Sequence, residues 1–305
     1  MVDECADIIG MNLKAGINFI DTAPWYGHGV SERVVGQALK TFPRQAFYIS
    51  TKVGRYEADT EHMFNFSKDK VVSSVKESLA RLQVDYIDLI QVHDVEFAES
   101  LVQLAQHTIP ALIQLKSQGL VRYIGITGYN LDTICRLVNF LPPGTISTVL
   151  SYCRATILDS SLLGRYQNFF KEKGIGLINA SPIGMGLLSL VGPPNWHPAT
   201  PLIKTSCLKA AKYCQERGMD ISELALLWTI DQDVTTTLVS TADRGLAAKN
   251  VELSTQRLTS EQRKIVDELE DKFFKFLPAR NWENLEVSKY WSKMNAGEFK
   301  QISDI

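Results

Sequence analysis

The stretch Gly16-Ile17-Asn18-Phe19-Ile20-Asp21-Thr22-Ala23-Pro24-Trp25-Tyr26-Gly27 decides the fold, because an apolar run ends in an acid and is followed by a turn. Two later stretches repeat this pattern with other polar ends: Phe47-Tyr48-Ile49-Ser50-Thr51-Lys52 and Ile87-Asp88-Leu89-Ile90-Gln91-Val92-His93. Short apolar runs bounded by turns predict buried β-strands. The side chains of Asp21, Tyr26, Lys52 and His93 therefore come at or just after the ends of three predicted strands.

These four side chains have the chemistry of a site that exchanges a proton with a carbonyl oxygen. A carbonyl reduced by hydride needs that proton, and a tyrosine supplies it readily only if its pKa, about 10, is lowered. A buried ammonium lowers the tyrosine pKa, a carboxylate holds the ammonium, and an imidazole orients the carbonyl oxygen. We expect Tyr26 to be the acid/base, with Lys52, Asp21 and His93 in the three supporting roles.

Apolar runs alternate with segments of helical period along the whole chain, which is typical of repeated βα units around a parallel sheet. Seven strands are predicted: Asn18–Asp21, Tyr48–Thr51, Tyr86–Val92, Tyr123–Thr127, Thr148–Ser151, Gly176–Ala180 and Thr237–Ser240. The predicted helices are Asp3–Lys14, Ser31–Lys40, Lys68–Leu82, Leu101–Gln118, Asp132–Asn139, Ser161–Lys173, Thr205–Thr229 with a break at Gly218, and one from Thr259 to about Phe276. The fold class is α/β, a (β/α)8 TIM barrel.

A closed barrel of this kind needs eight strands, and only seven are recognisable. The sequence begins directly in the helix Asp3–Lys14, which leaves no room for a strand before it. We therefore expect an N-terminally incomplete barrel whose strands Asn18–Asp21 and Thr237–Ser240 have unpaired edges. We also expect a version extended upstream by one hairpin and strand to be more stable and more active.

Length and composition favour one domain with a small, neutral partner. Residues 1–277 are predicted to form the barrel and 278–305 a C-terminal tail, which is either a loop over the mouth or a strap on the outside. The net charge of −2 and 45% hydrophobic residues give no reason to expect nucleic acid or a membrane as partner. Five dispersed cysteines and the absence of a leader-like start favour the cytoplasm.

Several further segments match the motifs of a known family in order and spacing. They are Ile124-Gly125-Ile126-Thr127-Gly128, Leu150-Ser151-Tyr152-Cys153, Ala180-Ser181-Pro182-Ile183-Gly184-Met185-Gly186-Leu187-Leu188 and Gly192-Pro193-Pro194-Asn195-Trp196-His197-Pro198-Ala199. With the four polar residues, they make the chain resemble the aldo-keto reductases from about residue 4 to about 270, most closely the L-galactose dehydrogenase-like subgroup. The resemblance implies reversible hydride transfer between a nicotinamide cofactor and a sugar or small carbonyl compound.

The resemblance also implies where the ligands bind. Cofactor contacts are expected from Thr127, Gly128, Ser181, Pro182, Met185, Gly186, Leu187, Ser240, Arg244 and Asn250, and substrate contacts from Trp25, Tyr56 and Arg154. Ser240 stands where phosphate-selective members tend to have Lys or Arg, and Asp243 would repel a 2′-phosphate, so NAD is favoured over NADP. Arg154 has an alternative interpretation as a partner of Asp159. No metal is expected, because the histidines have no metal-ligand spacing.

Two other functions remain open at this stage. A non-catalytic or weakly active binding or regulatory protein can share this fold and keep the four polar residues. A truncated isoform of an active enzyme would explain the seven strands. The sequence does not define the substrate or the oligomeric state, since pocket loops and surfaces vary freely on one fold.

Overall fold

Seven parallel strands lie side by side in the order of the chain, in a computed structural model that describes residues 1–296. They are β1 Phe19–Asp21, β2 Tyr48–Val53, β3 Ile87–Val92, β4 Val121–Gly128, β5 Thr148–Tyr152, β6 Gly176–Ala180 and β7 Thr236–Leu238. Together they form a nearly closed α/β barrel, which confirms the predicted fold class. Within the described residues, β1 pairs only with β2 and β7 only with β6, so the two predicted edges are present.

Helices connect the strands and surround the sheet. They are α1 Val2–Lys14, α2 Val30–Leu39, α3 Lys68–Leu82, α4 Leu101–Gln103, α5 Ile109–Ser117, α6 Leu131–Phe140, α7 Arg165–Glu172, α8 Pro201–Gln215, α9 Ile221–Ile230, α10 Arg244–Ser254, α11 Ser260–Leu269 and α12 Leu285–Ala296. Short 3₁₀ turns span Arg44–Ala46 and Val95–Phe97, and π turns span Leu104–Thr108 and Glu270–Phe274. None of the helices in residues 1–296 is long and apolar enough to cross a membrane.

Some helix boundaries differ from those predicted, for local reasons. The predicted helix Leu101–Gln118 is interrupted by the π turn, and the predicted helix Ser161–Lys173 starts only at Arg165, because Gly164 has φ +71°. The break at Gly218, with φ +70°, is confirmed. Helices α10 and α12 were not predicted, since neither has a clear apolar period.

The core has two layers, which follow from the alternation of side chains along each strand. Inside the barrel, Leu89, Leu150 and Ile178 form a small separate cluster with side chains from β1, β6 and β7. The other face of each strand packs against the helices in two larger clusters. Gln91 and His93, two and four residues after Leu89, therefore point into the barrel interior and its mouth, where barrel active sites lie.

The C-terminal segment crosses the mouth of the barrel. Trp282 is buried and stacks on Tyr129, with ring centroids 5.2 Å apart. Tyr290, on α12, packs edge-on against Phe64 and Phe97, which follow β2 and β3. The described part of the tail therefore lies over the mouth of the barrel and not as a strap on its outside.

The tail is described only in part. Residues 297–305 of the predicted tail lie outside the described residues. The division between a barrel of residues 1–277 and a tail of residues 278–305 stays a prediction.

Candidate active site

A buried ion pair joins the ends of β1 and β2. The Lys52 ammonium donates to Asp21 Oδ2 at 2.5 Å and to the carbonyl of Thr22 at 2.8 Å. Lys52 is 1% exposed, and the Asp21 carboxylate is 9% exposed. Burial acts to lower the pKa of Lys52, but Asp21 and the hydroxyl of Tyr26 outweigh it, so the pKa lies above its usual value. Lys52 is therefore a fixed positive charge.

Gln91, which the sequence interpretation missed, completes the anchoring of Asp21. Its amide donates to Asp21 Oδ1 at 2.9 Å and to the hydroxyl of Ser50 at 2.8 Å. Gln91 and Ser50 are both fully buried, in β3 and β2. Each Asp21 oxygen thus accepts a hydrogen bond from a different strand, one from the adjacent β2 and one from β3 beyond it. The available signal was a single amide in the largely apolar run before His93, but the run alone does not show what that amide contacts.

Tyr26 lies above this ion pair at the mouth and is 40% exposed. The Lys52 ammonium is 4.9 Å from the centre of its ring. Partial burial raises the pKa of Tyr26 and Lys52 opposes the rise, but the net pKa lies above its usual value. The expectation of a net lowered pKa is therefore wrong, whereas the predicted direction of the Lys52 effect is confirmed.

His93 faces Tyr26 as a neutral imidazole. The two rings are 6.0 Å apart and perpendicular. Burial and the nearby charges of Lys52 and Arg55 lower the pKa of His93 to about 3, against the opposing effect of Asp94. In the described part of the chain, the buried Nδ1 of His93 has no hydrogen-bond partner, and Nε2 lies 3.7 Å from Asp94. A neutral ring with one N–H orients a carbonyl oxygen without giving up its proton.

These residues meet at the carboxyl ends of β1, β2 and β3. The model of the Aldo/keto reductase family matches residues 2–271. The chain belongs to this family. It is therefore an oxidoreductase enzyme, and the predicted resemblance is confirmed.

Named relatives among the aldo/keto reductases include two that act on sugars. The chain is 40% identical to L-galactose dehydrogenase of Arabidopsis thaliana, over 83% of this chain and 79% of the relative. It is 33% identical to D-arabinose 1-dehydrogenase of Saccharomyces cerevisiae, over 88% of this chain and 84% of the relative. An aldo-keto reductase of Bacillus halodurans, solved in its holo form, superposes with a TM-score of 0.70 at 29% identity, covering 87% of this chain and 86% of that one.

One of the three expected substrate contacts of this aldo/keto reductase lies beside the site. Trp25 adjoins Tyr26, and the Arg55 guanidinium stacks 4.3 Å above its ring. Tyr56 is buried instead, with its hydroxyl accepting from the amide of Gly54 at 2.9 Å. Because that hydroxyl is directed inward, Tyr56 is a poor substrate contact.

Arg154 is also placed away from solvent. It is 5% exposed and pairs with Asp159 at 3.6 Å and with Glu283 of the tail at 3.2 Å. This corresponds to the alternative interpretation, in which Asp159 is its partner. Arg154 thus ties the tail to the end of β5 rather than presenting a free guanidinium to a sugar.

The glycine-rich segment after β6 has a geometry that suits a phosphate group. Ser181, Gly184, Met185 and Gly186 all have positive φ values, between +52° and +90°. Within residues 1–296, the amides of Met185 and Gly186 donate to no protein acceptor. Successive amides in such a turn form a concave anion-binding surface. The segment therefore fits the pyrophosphate of a dinucleotide, as the resemblance implies.

His197, a second residue whose role the sequence interpretation missed, fixes this segment from below. It is 3% exposed, and its Nδ1 accepts from the amide of Ala199 at 3.0 Å, so its Nε2 donates to the carbonyl of Gly184 at 3.1 Å. Pro182 and Leu187 are buried alongside and support the turn from within. Their contribution to a cofactor site is therefore to its shape.

Thr127 and Gly128, at the end of β4, have other partners than those expected. The Thr127 hydroxyl accepts from the amide of Asp94 at 2.9 Å and is 1% exposed. A Cβ at Gly128 would lie 2.5 Å from a Glu96 oxygen and 3.1 Å from Ile134 on α6, so this residue faces the helices. Neither is therefore placed to hold a nicotinamide through its side chain.

The segment after β7 is exposed. Ser240 and Arg244 are both solvent-accessible, and Arg244 pairs with Asp7 of α1 at 3.1 Å. The Asp243 carboxylate caps α10 by accepting from the amide of Leu246 at 2.8 Å. Asn250 is half-buried on the second turn of the same helix. The expected adenosine contacts thus surround a helix start that already carries a carboxylate.

Proposed function

We propose that the protein is an NAD(P)-dependent oxidoreductase that transfers a hydride between nicotinamide and the carbonyl or anomeric carbon of a sugar or small aldehyde, in the manner of L-galactose dehydrogenase. The observation that carries this proposal is the arrangement of Tyr26 between a fixed ammonium, Lys52, and a neutral imidazole, His93. The names of the Arabidopsis and yeast relatives support a sugar as the substrate.

In the proposed reaction, the chain supplies proton transfer and orientation. A bound nicotinamide gives or takes the hydride. In reduction, the Tyr26 hydroxyl gives its proton to the substrate oxygen, and the Lys52 ammonium stabilises the resulting phenolate. In oxidation, the proton of the substrate hydroxyl passes back to Tyr26, whose phenolate form Lys52 stabilises against the opposing effect of burial. Neutral His93 donates a hydrogen bond to the same oxygen, and Asp21 with Gln91 keeps Lys52 in place.

NAD is the cofactor that we propose, ahead of NADP. The Asp243 carboxylate occupies the start of α10, where the amides and the helix dipole otherwise favour an anion. A 2′-phosphate placed near it would experience like-charge repulsion. Arg244 is the one cation close to that position among the expected contacts, and its charge is shared with Asp7.

We propose a cytosolic location and a small, uncharged partner. All five cysteines are free. Free, dispersed thiols are typical of a reducing compartment. The net charge of −2 gives no field that would attract nucleic acid or an anionic membrane.

The test is a cofactor titration followed by a panel of aldoses and aldehydes, read from nicotinamide absorbance, for the parent and Tyr26→Phe. We expect kcat to fall by roughly 10²- to 10⁴-fold, the usual contribution of a general acid/base. Tyr48→Phe is the matched control, because Tyr48 lies 52% exposed at the opposite end of β2. Equal turnover of Tyr26→Phe and the parent would remove the assigned role.

The same assay separates the enzyme from the non-catalytic alternative. A parent chain that binds the dinucleotide but turns over no aldose or aldehyde would favour a binding or regulatory role. Comparing kcat/KM for NAD and NADP tests the cofactor preference. A kcat/KM that strongly favours NADP would contradict the role proposed for Asp243.

A further inference from the structure

Asp94, which follows His93 directly, is held in an unusual backbone conformation. Its φ and ψ are +52° and +63°, in the left-handed region that few residues other than glycine adopt. Its amide donates to the Thr127 hydroxyl at 2.9 Å, and that hydroxyl also lies 3.5 Å from Asp94 Oδ1. Such strained positions persist where the surroundings fix them, and they cluster at functional sites. Here the result is a carboxylate turned toward the catalytic imidazole.

The Asp94 carboxylate is charged and reachable. Arg55 donates to Oδ2 at 2.8 Å, and 20% of the carboxylate side chain is exposed. Burial acts to raise the pKa of Asp94, but the positive charges of Arg55, in direct contact, and of Lys52 oppose it, and the pKa lies below its usual value. An ionised carboxylate has acceptor sites for about four hydrogen bonds and no donor. Asp94 therefore has acceptor capacity left after binding Arg55 and Thr127.

The distance between the Asp94 carboxylate and the His93 imidazole indicates which group the free acceptor sites of Asp94 can bind. Asp94 Oδ2 lies 3.7 Å from His93 Nε2, too far for a hydrogen bond between them. A substrate oxygen bound at Nε2 would lie beside the carboxylate but could not donate to it if it were a carbonyl. A hydroxyl on the carbon bonded to the carbonyl carbon lies close to that oxygen and has a proton to donate.

We propose that Asp94 binds the hydroxyl on the carbon next to the reacting carbon, so that the enzyme selects α-hydroxycarbonyl compounds and aldoses with a free 2-hydroxyl over simple aldehydes. This inference rests on the proposed function. It makes Asp94 a specificity-determining residue. A hydrogen bond to a charged group changes kcat/KM by about 10- to 100-fold.

The experiment compares glycolaldehyde with acetaldehyde, which differ by this one hydroxyl, in the parent, Asp94→Asn and Asp94→Ala. The measured quantity is the ratio of kcat/KM for the two aldehydes. Intrinsic reactivity is the same for every variant, so it cancels when ratios are compared. We expect the ratio to fall about tenfold in Asp94→Asn, which keeps an acceptor without charge, and up to about 100-fold in Asp94→Ala.

A structural role for Asp94 would give a different pattern. If Asp94 only positions His93 or Arg55, turnover of both aldehydes falls in parallel and the ratio stays constant, which overturns the inference. Asp132→Asn on the outer face of α6, 64% exposed, is the matched control and should leave the ratio unchanged. Asp94→Asn is nearly isosteric, so it serves if Asp94→Ala does not fold.

The same measurements distinguish failure of the proposed function from failure of this inference alone. A parent that neither reduces the two aldehydes nor oxidises any aldose would overturn the function and this inference together. A parent that reduces both, with a ratio that Asp94→Asn and Asp94→Ala leave unchanged, would overturn the inference alone.

Discussion

The two edge strands of the sheet, β1 and β7, are equally short but end very differently. Asp21, at the end of β1, is fixed by buried hydrogen bonds from Lys52 and Gln91 on the next two strands. After β7, Ser240 and Asp243 lie exposed, and their surroundings are a turn and a helix start. The comparison teaches that polar side chains reaching across the sheet fix the end of β1 in addition to its backbone pairing with β2, whereas β7 is described with its pairing to β6 alone.

The largest effect should come from breaking the anchor of β1. Lys52→Met leaves the Asp21 carboxylate buried without its charge partner, and removal of one member of a buried pair costs about 3–5 kcal/mol of the free energy of unfolding. Urea unfolding followed by circular dichroism measures this loss. Lys40→Met, at the exposed end of α2, is the control.

A double variant sharpens the same prediction. Asp21→Asn combined with Lys52→Met removes both charges, so it should recover part of the stability that Lys52→Met loses. If the loss of stability in the double variant equals the sum of the losses in Asp21→Asn and Lys52→Met, the pair does not act as a unit. Lys52→Met and the double variant are both expected to be inactive, because Tyr26 lacks the neighbouring ammonium in each.

The second effect is a pH dependence of the free energy of unfolding, which we expect from the buried His93 beside β1 and β2. The pKa of His93 is about 3 in the folded chain and about 6.5 in the unfolded one, so the unfolded state binds more protons between these values. Stability therefore rises with pH up to about 6.5 and is then independent of His93. Between pH 7.5 and pH 5, the parent should lose about 2 kcal/mol more than His93→Gln.

The measurement is the free energy of unfolding of both proteins at several pH values. Other titrating groups are shared by the two chains, so their contributions cancel in the difference. A difference that does not depend on pH would mean that His93 is already protonated or solvated in the folded state, contrary to its burial.

The sequence predicted the parts of the site that depend on strand ends and missed those that depend on contacts across the sheet. Lys52 and His93 end apolar runs, and parallel strands bring such ends together. Gln91 lies inside its run, and only the registers of β1 against β2 and of β2 against β3 show that its amide reaches Asp21. The raised pKa of Tyr26 was missed for a related reason, because burial of a ring at a mouth is set by loops distant in sequence.

The tail shows the same limit. Its aromatic residues were visible in the sequence, but their partners Tyr129, Phe64 and Phe97 lie on loops after three different strands. Helix α12 is stabilised by these long-range contacts more than by its own periodicity. A one-dimensional pattern therefore gave two positions for the tail and no means of choosing between them.

The third effect tests the missed amide. Gln91→Leu removes the donors to Asp21 and Ser50 while keeping a similar volume, and we expect a loss of about 1–2 kcal/mol in the free energy of unfolding. The Asp21 carboxylate should then shift, lowering kcat without changing the KM for the dinucleotide. Gln37→Leu on the exposed face of α2 is the control. An unchanged kcat would show that Lys52 alone suffices to hold Asp21.

The smallest effect should come from the exposed side, after β7. Asp243→Asn keeps the cap on α10 but removes its charge, so the repulsion of a 2′-phosphate is reduced while the helix still forms. Exposed charges interact by about 0.2–1 kcal/mol, so kcat/KM for NADP relative to NAD should rise no more than about fivefold. The rise should shrink with added salt, because solvent screens charges at the surface but not the buried pair on β1. A change of a hundredfold would place Asp243 in a desolvated site and remove the contrast between the two edges.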